Sequence, residues 1–533
     1  MNMTRLVLVG LAMAGLAACD SGGIDLNVVT NDNSVDNSVT NPGGGQSSNP
    51  CAKYTLPNSN EERQGTFDGT NCIYGSDFVG SANPLLVDLS IPFISGKHLF
   101  QDSLFVGQDV NSGTPPAEGE GPTLTIAAGN TLVFQDAADY VLINRGSKII
   151  ADGSPTAPIT FTSFTDAITG TAGADDVQQW GGIVINGNGV TNNCSDAERA
   201  ANNCHVTAEG QPSTYGGNNN AESSGILRYV VTKHSGFEVA PGDELNGITF
   251  NAVGSGTIVE NVEVYSTYDD GMEFFGGAVS PKNVVILYAR DDSLDFSDGY
   301  VGTIENALII HWQFNGNRCI EGDNIGSGRS DAGEPLDTAP ASEPTIRNMT
   351  CIPSNWDEAD GGTHGDSEGV LVRQGAKLLL ENSIVYTGYG NTVNGKAANE
   401  SYEIDDNDGV SRAFAENGAT LPFRATNVLI ASEEATKDNL NNGDSIRQWF
   451  LGEVTANGDY SFNVGTYIID DSVNAGVLVP GTYFTAAAFT DNGVDIGADP
   501  ADFGAVTQAN DWTAPWAFGL RPSNADQPLW FAP

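Results

Sequence analysis

The chain has 533 residues, with 22 Lys and Arg against 68 Asp and Glu, giving a formal charge of −46, and it carries 64 glycines. A surface so acidic repels nucleic acid and anionic lipid headgroups and favours cations, which excludes nucleic-acid partners and membrane attachment through basic residues. Five histidines and the absence of any C-x-x-C pair argue against zinc and other transition metals.

Residues 1–18 place Arg5 ahead of the apolar run LVLVGLAMAGLAA, which has the layout of a signal peptide and is too short for a stable span. The run closes on Leu16-Ala17-Ala18-Cys19, which resembles the lipobox of bacterial lipoproteins. That resemblance implies cleavage before Cys19 and lipid, palmitate included, on the mature terminus. Each buried CH₂ contributes roughly 0.8 kcal/mol, so a multiply acylated terminus stays in a bilayer. The expected location is the outer membrane or cell surface. Asp20 resembles an inner-membrane retention signal, which keeps the periplasmic face of the inner membrane open. Residues 19–50, ending in NDNSVDNSVTNPGGGQSSNP, offer almost nothing to bury and predict a flexible tether.

Six further cysteines follow: Cys51, Cys72, Cys194, Cys204, Cys319 and Cys351. An even number in an exported chain reads as disulfides. Neighbours along the sequence suggest Cys51 with Cys72, Cys194 with Cys204 and Cys319 with Cys351, with other pairings open. Residues 51–84 then form a disulfide-stapled N-terminal cap.

From about residue 85 to 435 short β-branched runs recur between Gly, Asp and Asn turns, the pattern of many short strands. One register repeats Asn before an apolar run, at Asn261, Asn283, Asn306, Asn348, Asn382 and Asn427, with first intervals of 22 and 23 residues. A coil of that length, each strand stacked on the equivalent strand of the next coil, is a parallel β-solenoid. The asparagines can bond backbone and one another's amides as a ladder. A second register runs Gly182-Ile-Val-Ile, Gly247-Ile-Thr-Phe, Gly271-Met-Glu-Phe, Ser293-Leu-Asp-Phe, Cys319-Ile-Glu-Gly and Gly369-Val-Leu-Val. Its second and fourth residues point inward and its third points out. The fold class is therefore all-β, a right-handed parallel β-helix with a C-terminal capping region over 436–533. Trp512, Trp516 and Phe518 are expected to cover the end of the last coil, with an aromatic sugar platform as the alternative.

The outward residues of the second register are Glu273, Asp295 and Glu321, preceded by Asp269-Asp270 and Asp291-Asp292 and followed by Asp298 and Asp323. Strands stack roughly 4.8 Å apart, so these carboxylates predict an acidic column over three coils. Like charges that close raise one another's pKa or recruit a cation, and Ca²⁺ suits an oxygen-only, irregular ligand set. Turn chemistry accounts for the four paired aspartates but poorly for Glu273, Asp295 and Glu321, which fall in mid-strand.

A catalytic role would need a base. Lys233, Lys282, Arg290 and Arg373 are the basic candidates for a lyase, and His234, His311 and His364 (opening HGDSEG) read as turn or surface histidines. Paired carboxylates could alternatively serve a glycoside hydrolase.

The segment TYDDGMEFFGGAVSPKNVVILYARDDSLDFSDGYVG, with QQWGGIVINGNG, DELNGITFNAVGSGT and the terminal NDWTAPW, resembles a family of bacterial surface lipoproteins with right-handed parallel β-helix repeats, over roughly residues 120–320 and the tail. The resemblance implies fold and location and supplies no catalytic residue. The expected function is non-enzymatic: a lipid-anchored monomer binding an extended ligand such as glycan on a calcium-stabilised face. A polysaccharide lyase or hydrolase, or an adhesion spacer, are the alternatives.

Overall fold

The computed structural model describes residues 49–533 except 313, 355–363, 387–399, 406–408, 433–434, 471–502, 507–510, 522 and 526–533. The expected signal peptide, Cys19 and the expected tether to residue 48 lie outside the described residues. Residues 49–533 make one compact unit.

Strands stack in parallel into two sheets that wrap one core, a parallel β-helix. A nine-stranded sheet runs from Leu104–Val106 to Tyr402–Ile404, and a 16-stranded sheet carries the longer strands. Parallel pairing begins at Cys72–Tyr74 against His98–Phe100 and ends at Arg424–Ser432 against Tyr467–Asp470, so the coils extend past both ends of the expected 85–435 span. The N-terminal cap residues feed directly into the long sheet. All three suggested disulfides are present: Cys51–Cys72, Cys194–Cys204 and Cys319–Cys351.

The asparagine register marks a corner. In Ile258–Thr267 and Lys282–Ala289, Glu260 pairs with Lys282 and Val262 with Val284, skipping Asn261 and Asn283. Asn261, Asn283, Asn306, Asn348, Asn382 and Asn427 all hold φ between 51° and 60°, a left-handed conformation that Asn tolerates better than other residues with a side chain. From Asn283 on, each side-chain amide donates to the Oδ1 of the asparagine one coil earlier, at 3.0, 2.7, 2.9, 3.3 and 3.1 Å along the column. Inserted loops lengthen the later intervals without breaking the ladder.

Inside, side chains of equivalent strands stack. Phe250 lies on Phe274 at 5.2 Å, and Phe274 on Tyr300 at 4.6 Å. Trp449 and Phe450, in the short helix Ile446–Phe450, close this core at the C-terminal end against Tyr402. The terminal aromatics do something else. Trp516, Phe518 and Leu520 pack on the outer face of the long sheet, Trp516 against Tyr229 and Phe518 against Tyr265. This corrects the end-cap expectation: the strand halves after each Asn corner are buried on both faces and mostly apolar, so their outer face also needs cover.

Candidate functional site

The second register aligns as its spacing predicts. Thr249 pairs with Glu273, Glu273 with Asp295 and Asp295 with Glu321, and the row ends Leu371, Glu403. Alternation sends Met272, Phe274, Leu294 and Phe296 into the core and the acidic residues outward. Outward is not open, however: Glu273 is only 7 % exposed and Glu321 8 %. Insertion residues from between Ile183–Asn186 and Gly225–Ser235 lie over the row, where Glu209 hydrogen-bonds Glu273. Asn246 Nδ2 donates to Glu273 Oε2 at 2.5 Å.

The residues just before each strand of the row form their own ladder. Asn246 Oδ1 accepts from the Asp270 amide at 3.1 Å, Asp270 Oδ1 from the Asp292 amide at 3.0 Å, and Asp292 Oδ1 from the Arg318 amide at 2.6 Å. One oxygen of each aspartate thus ties adjacent coils, as the turn reading requires. Asp291 accepts from Asn317 Nδ2 at 2.9 Å and meets His364 Nδ1 at 3.0 Å.

These elements bring ligand-type atoms together within 4.8 Å in four linked groups: Asp269–Asp291–His364, Asp270–Asp291–Asp292, Asp270–Glu273–Asp295 and Asp292–Asp295–Glu321. Counter-charge reaches only one side. Arg373 pairs with Glu321 and, at 2.9 Å, with Asp323, while Arg318 pairs with Glu368 at 3.0 Å. Among the described residues no Lys or Arg forms an ion pair with Asp270, Glu273 or Asp295, and the buried Asp295 Oδ1 has no hydrogen-bond donor. Burial first, and neighbouring carboxylates second, push Asp269, Asp270, Glu273, Asp292 and Asp295 well above the usual carboxylate range. Burial also pushes Glu209 and Asp323 up to about 7. At neutral pH such a cluster holds protons or takes a cation, and its oxygen donors fit a hard ion such as Ca²⁺.

Asp298 and Asp323 stand apart from these groups. Asp298 receives Arg329 Nη1 at 2.7 Å, Tyr215 Oη at 3.3 Å and Asn193, and so anchors the insertion. Asp323 is occupied by Arg373. Of the basic candidates, only Arg373 touches the row. Lys233 pairs with Asp166 at 2.9 Å, Lys282 with Glu305 at 3.3 Å and Arg290 with Asp175 at 3.3 Å. His234 and His311 are buried rather than superficial. His311 bridges Ser293 and Ser367, and burial pushes it down to about 3, so it is neutral.

Sequence reading missed Asn246, although it occupies the position before Gly247 that Asp270 and Asp292 occupy before Gly271 and Ser293. Glu209 and Tyr215 carried no such signal, because an insertion has no register.

A family model described as a pectate-lyase like β-helix domain matches residues 116–454, more than half of the chain. No curated protein and no solved structure matches.

Proposed function

The chain belongs to the family of pectate-lyase-like β-helix domains, and from that premise we propose that it is a lipid-anchored cell-envelope protein that binds an extended acidic glycan through Ca²⁺ held at Asp270, Glu273 and Asp295. The observation that carries this reading is buried negative charge without a pairing cation, centred on the unpartnered Asp295 Oδ1. A divalent ion removes the repulsion, and on the side of Asp295, the half-buried member of the three, it can offer a coordination position to a uronate carboxylate that the acidic surface alone would repel. The lipobox at Leu16–Cys19 supports anchoring, with the outer membrane or cell surface as the location.

Binding is favoured over lyase chemistry because, among the described residues, none of the four basic candidates stands unpaired at the row. Arg373 lies between Glu321 and Asp323, whose charges hold its guanidinium protonated above its ordinary range, and the other three basic residues are engaged elsewhere.

One double variant, Glu273→Gln with Asp295→Asn, tests the site against the wild type. Millimolar Ca²⁺ should raise the wild-type melting temperature and retain the protein on immobilised polygalacturonate; saturation a hundredfold above Kd is worth about 2.7 kcal/mol. The double variant should melt higher than wild type in EDTA, since repulsion is relieved, and lose both calcium responses. A wild-type melting temperature indifferent to Ca²⁺ refutes the proposal. Ultraviolet absorbance growing during incubation with polygalacturonate would instead mark a lyase.

A further inference from the structure

A cavity of about 360 Å³ lies elsewhere on the molecule and shares no residue with the acidic row. One wall is the loop carrying Pro116, Ala117 and Glu118, and the other is the insertion carrying Asn188, Asn218 and Glu222. The walls are fixed to each other and to the coils. Asn188 Nδ2 donates to the Pro116 carbonyl at 2.9 Å across 72 residues of chain, and Lys148 Nζ holds Glu118 at 2.6 Å. Glu222, 2 % exposed, accepts from the Gly254 amide at 2.5 Å and from Ser224 Oγ at 3.3 Å. The cavity is thus built into the fold rather than left by a loose loop.

Its lining mixes donors and acceptors: the side-chain amides of Asn202, Asn218 and Asn219 stand beside the carboxyl groups of Glu118 and Glu222. Asn188 Oδ1 is buried with no donor, the two glutamates present carboxyl oxygens, and the ammonium of Lys148 is already committed to Glu118. Burial pushes Glu222 up to about 7, so it serves as acceptor or donor at neutral pH. Pro116 and Ala117 supply an apolar wall. Hydroxyl donors on a ring with an apolar C–H face match this lining, whereas a carboxylate on the ligand would meet two glutamates in a molecule of net charge −46. The volume sits near the lower end of the roughly 300–1,000 Å³ typical of small-molecule sites, enough for a short piece of a chain.

We infer that this cavity is a binding subsite for an uncharged sugar unit, at the end or branch of a glycan, and that it works without a metal ion. The ligand class rests on the glycan-binding reading above; the position and the lack of a metal requirement do not. The exposed Ala117→Trp variant blocks the cavity without entering the core, and Asn218→Trp provides a second block.

The test is calorimetric titration of the lipid-free mature chain with cellotriose, maltotriose and N-acetylated chitotriose in EDTA. At least one trisaccharide should bind, both tryptophan variants should weaken it tenfold or more, and Glu273→Gln with Asp295→Asn should leave it unchanged. Absence of heat with all three sugars overturns the inference, as does unaltered binding by both tryptophan variants. Sugar binding that appears only with Ca²⁺ and vanishes in the Glu273/Asp295 variant also overturns it while supporting the acidic-row reading, so the two stand or fall separately.

Discussion

Asn306 shows how one residue type can set a coil. It donates to Asn283 at 2.7 Å, accepts from Asn348 at 2.9 Å and holds φ at 60° where the strand turns its corner. Two part-buried amide bonds at about 1 kcal/mol each and a left-handed backbone at about 1–2 kcal/mol predict that Asn306→Ala costs about 3–4 kcal/mol. Asn306→Gly keeps the backbone and should cost about half as much. Denaturant melts of the two variants separate the terms, and equal losses would mean that the ladder carries the corner alone. This column was readable because the same residue recurs at coil spacing. The acidic row was readable for the same reason: Glu273, Asp295 and Glu321 each occupy the third place of a Gly/Ser/Cys-apolar-acid unit. Burial of that row was not readable, because the residues that lie over it, Glu209 and Tyr215, come from a segment with no repeat.

The same division holds for elements. Strands that obey the period and disulfides between sequence neighbours were legible, and the docking of the C-terminal tail was not, since its partners are spread over coils far away in sequence. The tail is pinned by the Gly504 amide to the Asn382 carbonyl at 2.8 Å, the Ala505 amide to Thr350 Oγ1 at 2.9 Å, and the Phe518 amide to Glu263 Oε2 at 2.7 Å. The clue lay in runs such as VVILYA at 284–289, apolar at every position and therefore buried on both faces. Glu263 makes this dock pH-dependent. Burial beneath the tail pushes its carboxyl well above the ordinary value of 4.5, with Lys233 and Arg521 opposing. A carboxyl raised in the docked state favours docking fully below pH 4.5, and that contribution is lost as pH rises toward the raised value. Glu263→Gln should therefore match wild type near pH 4.5 and melt progressively higher than wild type up to pH 8. Emission from Trp512 and Trp516 reports the dock directly, and a wild-type-to-variant difference that does not grow with pH would show that Glu263 stays neutral or finds compensation.

At the scale of the whole molecule, charge and attachment are separable problems. The β-helix from Asn49 has its own continuous core, from Cys51 through Tyr460, and three disulfides that close within it. Among the described residues no helix is long and apolar enough to cross a membrane, and a surface with a formal charge of −46 is repelled by anionic headgroups. If the bilayer is reached through lipid on Cys19, attachment should depend on that thiol and on nothing in the folded body. Cys19→Ser is then expected to move the protein from the membrane fraction to the soluble envelope fraction, because each lost acyl chain removes roughly 0.8 kcal/mol per CH₂ of anchoring. The melting temperature of the purified variant, and its response to Ca²⁺, should equal those of the delipidated wild type. Fractionation of cells expressing the two forms decides it: a Cys19→Ser protein that still sediments with membranes, and is released by high salt but not by detergent, would place the attachment on an ionic partner of the acidic solenoid.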